Sequence, residues 1–547
     1  MTRSVLSPPR RAPWVVVHEP MADGAPWIVE RQGANPLRVS ADAGELLAAI
    51  DGERDAVALA VALGTRWTPD LVDEAVRRFS ELSLLDDRHA VAPKPERRIV
   101  FVSPGMLQFR LVAASRIIEP LRATLVRLRG SVVLAVTLAL GLGGLISLLA
   151  QQSVLGTTLG EPLPLWSMIV IWTGLGLTTV FHELSHAGTL AHYRGRPGWF
   201  GFMLFYLTPA CFCEVTDSWR LPRPGQRVAV ALAGVGSQAA MAGAAAIIAL
   251  ALPAGDGRTT LTGFAVVCYL AGVVNLAPWV KLDGYLALMT WLDIPHLREK
   301  AMADARGWWA HRLFGAQFTR KLPRHGWAIP YGMVCAGFPA VVLLLATARW
   351  THMLLTVGVL GGIVVLLLLA LLVFRLVRAV LRLVVSARRS GAGRVKLTAV
   401  TVLALAAIAA VLTFVQVPYG LKAGYVSDQD GVHLVVPPGT DLSFLRPGRT
   451  VVLQRAGVLV TTKLGGARID AGPARSTMAP TSALMPIRLD TRIQALSIPL
   501  RELTGGPLDA TGSAYVEGEP MSAGMWLVRG YLTPAWTEVF GQEDRKS

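Results

Sequence analysis

Residues 165–191 read LWSMIVIWTGLGLTTVFHELSHAGTLA. Positions 165–181 carry no ionisable side chain, and the run is long enough to cross a bilayer as one helix. Its last third then places His182, Glu183 and His186 in the same apolar segment. An ionisable group there costs on the order of 3 kcal/mol, so three of them together signal chemistry. Two histidines four residues apart point from one helix face at a spacing that holds Zn²⁺, and the glutamate between them can take a proton from water on the metal.

Working outward, six more apolar runs of membrane length follow the same pattern: 131–150, 228–252, 261–289, 327–348, 352–374 and 397–417. The chain is 52% hydrophobic and only 16% charged, the balance of a polytopic membrane protein. The first ~95 residues are mixed and polar and have no apolar signal-peptide core, so the N-terminus is expected to stay in the cytoplasm.

A net charge of +16 looks like a nucleic-acid signature until it is placed on the chain. Basic residues crowd before the first run (Arg116, Arg122, Arg127, Arg129) and after the second (Arg194, Arg196, Arg220, Arg223, Arg227). They return between the fourth and fifth runs (Arg298 to Arg324) and between the sixth and seventh (Arg375 to Lys396). Residues 151–164 have no Lys or Arg, and 253–260 have only Arg258. This alternation predicts seven spans with the N-terminus inside, the C-terminus outside and the basic loops at the anionic inner leaflet of the cell membrane. No nucleic-acid partner is needed to explain the charge.

A zinc site of this kind needs a third protein ligand. His192 follows His182 by ten residues, the separation used in metzincins, but the glycine here is Gly188, one position early. On a continuous helix His192 is about 240° around from His186, which favours an interfacial role. The stronger candidate lies in NLAPWVKLDG, residues 275–284. Asp283 is a carboxylate late in an apolar run, and Pro278 breaks the helical ladder just before it. The second and fourth spans run in the same direction, and the histidines and Asp283 arrive at similar depth near the cytoplasmic face. The competing reading for Asp283 is an Asp-Gly turn just past the membrane. The four cysteines (Cys211, Cys213, Cys268, Cys335) read as packing thiols, since Cys211-Phe212-Cys213 lacks zinc or redox spacing.

These residues together resemble the site-2 protease family of intramembrane zinc metalloproteases, which pairs H-E-x-x-H with N-x-x-P-x-x-x-L-D-G. The resemblance implies one Zn²⁺ held by His182, His186 and Asp283, Glu183 as general acid/base, and Asn275 in substrate positioning. GWFGFMLFYLTPACFCEVTDSWR, 198–220, also resembles the peptide zinc metalloprotease branch. A β-edge within 201–215 could then present an extended substrate by strand addition. Two departures stand out: seven spans exceed the minimal family core, and no PDZ domain is present.

Residues 1–92 are expected to form a small winged-helix-like α+β domain. Strands are read at 14–19, 27–30 and 37–39, and helices at 43–50, 55–63 and from Thr68-Pro69 onward. With LLAAIDGERDAVALAVAL and VDEAVRRFSELSLLDD, this order resembles the PqqD-like domain that recognises leader segments of ribosomally synthesised, modified peptides (RiPPs). That implies leader binding at 36–40 and 69–82. Residues 93–130 read as a basic lead-in to a membrane domain at 131–417. Residues 418–547 read as an extracytoplasmic all-β domain, faintly similar to the barrel-like domains of membrane-fusion adaptors.

The sequence thus predicts a mainly α-helical polytopic zinc endopeptidase that removes the leader from a RiPP precursor, with biosynthetic or export partners. Two alternatives stay open: a regulatory protease cutting a membrane-bound substrate, and a non-proteolytic export or immunity protein.

Overall fold

The computed structural model describes residues 8–20, 27–31, 37–86, 98–103, 106–205, 208–355, 358–437, 440, 444–457, 460–485 and 487–540. Pro36 lies outside them.

The N-terminal domain follows its sequence closely. Strands β1 (Val15–His18), β2 (Trp27–Arg31) and β3 (Leu37–Val39) form an antiparallel sheet with β3 at an edge. Helices α1 (Ala41–Ala49), α2 (Ala56–Leu63) and α3 (Pro69–Glu81) cover it. The Thr68 side chain accepts from the Leu71 N–H at the start of α3, a cap worth about 1 kcal/mol. From α3, Val72, Ala75, Val76 and Phe79 join Leu46, Leu47 and Leu59 in one core. Leu82, just past the end of α3, is exposed.

The lead-in departs from expectation. Residues 99–113 form a hairpin, β4 (Ile99–Ser103) and β5 (Met106–Ala113), before helix α4 (Ala114–Arg127). Alternating residues such as Leu107, Phe109 and Leu111 give the hairpin its period of two, and β5 pairs with β7.

Among the described residues, seven helices are long and apolar enough to cross a membrane, which makes this a multi-pass membrane protein. They fall within α5 (Gly130–Ala150), α7 (Leu165–His192), α8 (Pro224–Ala251), α9 (Asp256–Asn275), α12 (Ala328–Leu355), α13 (Val359–Arg389) and α14 (Arg394–Phe414). Between them lie α6 (Gln152–Gly160), the short strand β6 (Leu163–Pro164), and strands β7 (Trp199–Phe205) and β8 (Thr208–Cys213). Helices α10 (Asp283–Trp291) and α11 (Leu297–Phe314) follow α9. The burial is inverted relative to a water-soluble protein. Along α7, Trp172, Leu177 and Phe181 face outward while Ser167, Thr178, His182 and His186 are buried. Helix α14 has no buried residue, as expected of a span surrounded by hydrocarbon.

The fourth span differs from the continuous run expected over 261–289. Helix α9 stops at Asn275, residues 276–282 are irregular, and α10 begins at Asp283. Pro278 has no N–H to continue the ladder. Its carbonyl accepts from the Tyr331 hydroxyl at 2.6 Å, and the Trp279 carbonyl accepts from Arg298 Nε at 3.2 Å. These bonds satisfy backbone groups that the break exposes. The sixth span also shifts: α12 runs to Leu355 and α13 starts at Val359, after Gly358 at φ 71°.

The C-terminal domain is a closed barrel. Strands β10 (Gly420–Asp428), β11 (Gly431–Val436), β12 (Thr450–Ala456), β13 (Thr461–Ile469), β16 (Arg492–Gly505) and β17 (Thr511–Glu517) pair in the order β11-β10-β17-β12-β13-β16, and β11 returns to pair with β16. Strand β14 (Arg475–Pro480) extends β16 outside the ring. Tyr425, Leu434, Leu453, Ile469 and Val516 fill the interior. Closure leaves no free edge among those six strands. Small pairings flank it: β9 (Gln416–Val417) with β18 (Met521–Ser522), and β15 (Ile487–Arg488) with β6. Contrary to the all-β expectation for 418–547, the chain then turns helical as α15 (Ala523–Leu527) and α16 (Thr533–Phe540). Met525, Val528, Leu532, Trp536 and Phe540 keep helical spacing and stay exposed, the pattern of an interfacial helix. Residues Ala535 and Val539 of α16 pack beside Gly362 of α13.

The two extramembrane domains attach at opposite ends of α7. The barrel meets its start, through the β6–β15 pairing and a Val460 N–H that donates to the Leu159 carbonyl. The N-terminal domain meets the opposite end, where Arg38 on β3 reaches Asp293 just beyond α10 at 3.1 Å. Arg227, buried on α8, lies 3.6 Å from the same carboxylate.

Candidate metal centre

Helix α7 carries His182 and His186 one turn apart, with their rings 5.0 Å between centroids and nearly perpendicular. The irregular 276–282 segment swings the start of α10 across to them. Asp283 is the first residue of that helix, and its Oδ2 lies 2.8 Å from His182 Nε2 and 3.4 Å from His186 Nε2. The three candidate ligand atoms all fall within 4.8 Å of one another. Both histidines are buried.

The chemistry of the donor set fits a divalent cation. His186 Nδ1 lies 2.7 Å from the Val230 carbonyl on α8, so it carries the proton and leaves Nε2 with a lone pair. In the neutral imidazole that lone pair faces Oδ2 of Asp283, a buried oxygen whose close polar neighbours are the two histidines. Two acceptors turned toward each other in a buried site repel, and a proton or a metal ion between them relieves the repulsion. The Val230 contact is the outer partner that metal-binding histidines ordinarily have, fixing tautomer and ring orientation. Nitrogen and carboxylate donors in a set of three match catalytic zinc, whose remaining position is open to substrate or water.

Two glycines make the room. A Cβ at Gly234 on α8 would lie 2.5 Å from both His182 Nε2 and His186 Nε2, so only a residue without a side chain leaves those two nitrogens clear. A Cβ at Gly284 would collide with the Leu276 carbonyl, so only glycine lets the first turn of α10 close against the end of α9. Asp283 reaches the histidines because that contact is allowed.

Glu183 is half-buried beside this cluster, and its Oε2 accepts from the Cys213 N–H at 2.8 Å. Cys213 ends β8, and β8 is the edge of the four-stranded sheet β4-β5-β7-β8. An edge strand with unpaired backbone groups therefore runs directly into the carboxylate. Asn275 is the last residue of α9 and half-buried, and its side chain makes no hydrogen bond among the described residues. His192 is elsewhere: its Nδ1 lies 2.7 Å from the Leu125 carbonyl of α4. It does not belong to the cluster found among the described residues.

Sequence reasoning missed Val230, Gly234 and the Cys213 amide. The only available signal was the small-residue run ALAGVGSQ, 231–238, in a span otherwise free of chemistry.

No protein-family model, curated protein or solved structure matches this chain. The class therefore stands on the molecule itself: a multi-pass membrane protein in which two histidines and an aspartate converge inside the helical region.

Proposed function

We propose that this protein is a zinc-dependent intramembrane endopeptidase that removes the leader from a ribosomally synthesised, modified precursor peptide. One observation carries the reading: the His182, His186 and Asp283 ligand atoms converge within 4.8 Å of one another against Gly234, with Glu183 next to them and anchored to an edge strand. A bound zinc ion supplies Lewis acidity toward water and a peptide carbonyl.

The remaining roles fall to the chain itself. Strand β8 aligns an extended substrate by adding it to the sheet, so the scissile peptide passes the end of β8 at Cys213. Glu183 takes the proton from the attacking water and returns it to the leaving amine. The Cys213 N–H orients that carboxylate. Asn275, at the lip of the helix break, is placed to steady the substrate backbone. The small domain at the far end of α7 holds the leader, and the basic loops on that side keep it cytoplasmic.

The test is incubation of the purified protein with a leader-bearing precursor, reading products by mass. Wild type yields two fragments and Glu183→Gln yields none while retaining zinc. Absence of cleavage by a zinc-loaded wild type on several precursors would instead favour a non-proteolytic export role.

A further inference from the structure

A cleft of about 570 Å³ opens between the N-terminal domain and the membrane domain. Its one wall is the β1–β2 face, including Ile28 and Glu30; the other includes Trp199 and Glu214 at the base of β7 and β8. Glu214 directly follows Cys213, whose amide holds Glu183. A chain leaving the N-terminal domain for the β8 edge therefore passes through this cleft.

The charges lining it are mostly satisfied. Glu30 lies 2.8 Å from His18. Arg220 pairs with Asp217 at 3.1 Å, and the other Asp217 oxygen accepts from the Arg196 backbone N–H at 2.7 Å. Arg122 pairs with Glu119, and Arg110 lies 3.9 Å from Glu214. Two cations are left over. The Arg194 and Arg196 side chains line the cleft, are exposed, and have no partner among the described residues.

We infer that this cleft binds an acidic segment of the substrate peptide, whose carboxylates pair with Arg194 and Arg196 between the leader-holding domain and the cut site. The inference rests on the endopeptidase reading for its direction of travel, yet binding can be measured without cleavage. A membrane headgroup is the competing partner for arginines after a span. The cleft favours peptide, because both arginines share it with a wall from the N-terminal domain.

The experiment uses the full chain carrying Glu183→Gln in phosphatidylcholine nanodiscs and a fluorescent ten-residue peptide containing three consecutive glutamates, with a glutamine-substituted twin. Two exposed charge pairs predict a preference of roughly two- to thirtyfold for the glutamate peptide at low salt, shrinking as salt rises. The double variant Arg194→Gln/Arg196→Gln abolishes the preference and Arg194→Lys/Arg196→Lys keeps it, both eluting as the parent does. Equal affinity for the two peptides overturns the inference, as does a preference that survives the glutamine variant. So does a variant that leaves peptide binding intact and only weakens attachment to phosphatidylglycerol vesicles. Loss of precursor cleavage by the wild type with the peptide preference intact would count against the protease reading alone.

Discussion

Gly234 on α8 lies directly against His182 and His186. A methyl group there would lie 2.5 Å from both histidine Nε2 atoms, so the rings must turn away or the metal must leave. Gly234→Ala is therefore expected to weaken zinc affinity by about 10–100-fold, the range for losing an outer support of a metal ligand. Metal stoichiometry after dialysis against a graded chelator measures it; an unchanged retention curve would show that the metal does not sit against Gly234. Glu183→Gln separates chemistry from binding. It is expected to keep zinc and lower turnover by about 10²–10⁴-fold, the usual contribution of a general acid–base, read by single-turnover cleavage of a short peptide. His182, Glu183, His186 and Asp283 were legible in the sequence because ionisable side chains inside hydrocarbon are costly unless they bind or react. Gly234 and Val230 were not, since a small residue and a backbone carbonyl carry no signal until the facing helix is known.

Elements set how the residues meet. Helix α10 delivers Asp283 only because the span breaks at Pro278 and Gly284 permits contact with the Leu276 carbonyl. Gly284→Ala is thus expected to reduce zinc content while leaving the barrel and the N-terminal domain folded, checked by metal analysis alongside limited proteolysis. Retention of full zinc content would place the α9–α10 junction outside the site's requirements. Pro278 and the Asp283-Gly284 pair announced some interruption in the sequence, yet the extent of the break did not follow, because hydropathy stays high across 261–289. The β4–β5 hairpin was hidden for a related reason. Its strands are short and basic-flanked, and the pairing of β5 with β7 joins residues about ninety positions apart, which no local pattern encodes. The capped helices α2 and α3, by contrast, begin where Asp55 and Thr68 stand, since a side-chain cap is a local device.

At the scale of the whole molecule, two domains sit at opposite ends of α7. The link on the N-terminal side is slight: Arg38 to Asp293 is a partly exposed pair, worth about 0.5 kcal/mol on its own. Arg38→Glu reverses its sign and sets a second carboxylate against Asp293. Processing of a full precursor is expected to fall several-fold under this change while cleavage of a leaderless peptide is unaffected; equal loss on both substrates would contradict a separate leader-holding domain. Helix count and the small N-terminal fold followed from composition, periodicity and capping, whereas barrel closure by β11 and β16 and the helical return of α15 and α16 depend on partners distant in sequence. The central claim is that His182, His186 and Asp283 hold one zinc ion. Metal analysis of purified wild type, Glu183→Gln and the three single alanine variants at those ligands tests it most directly. The account predicts about one zinc per chain in the first two and nearly none in the ligand variants. Equal zinc in all five, or none in the wild type after growth with zinc, would contradict it.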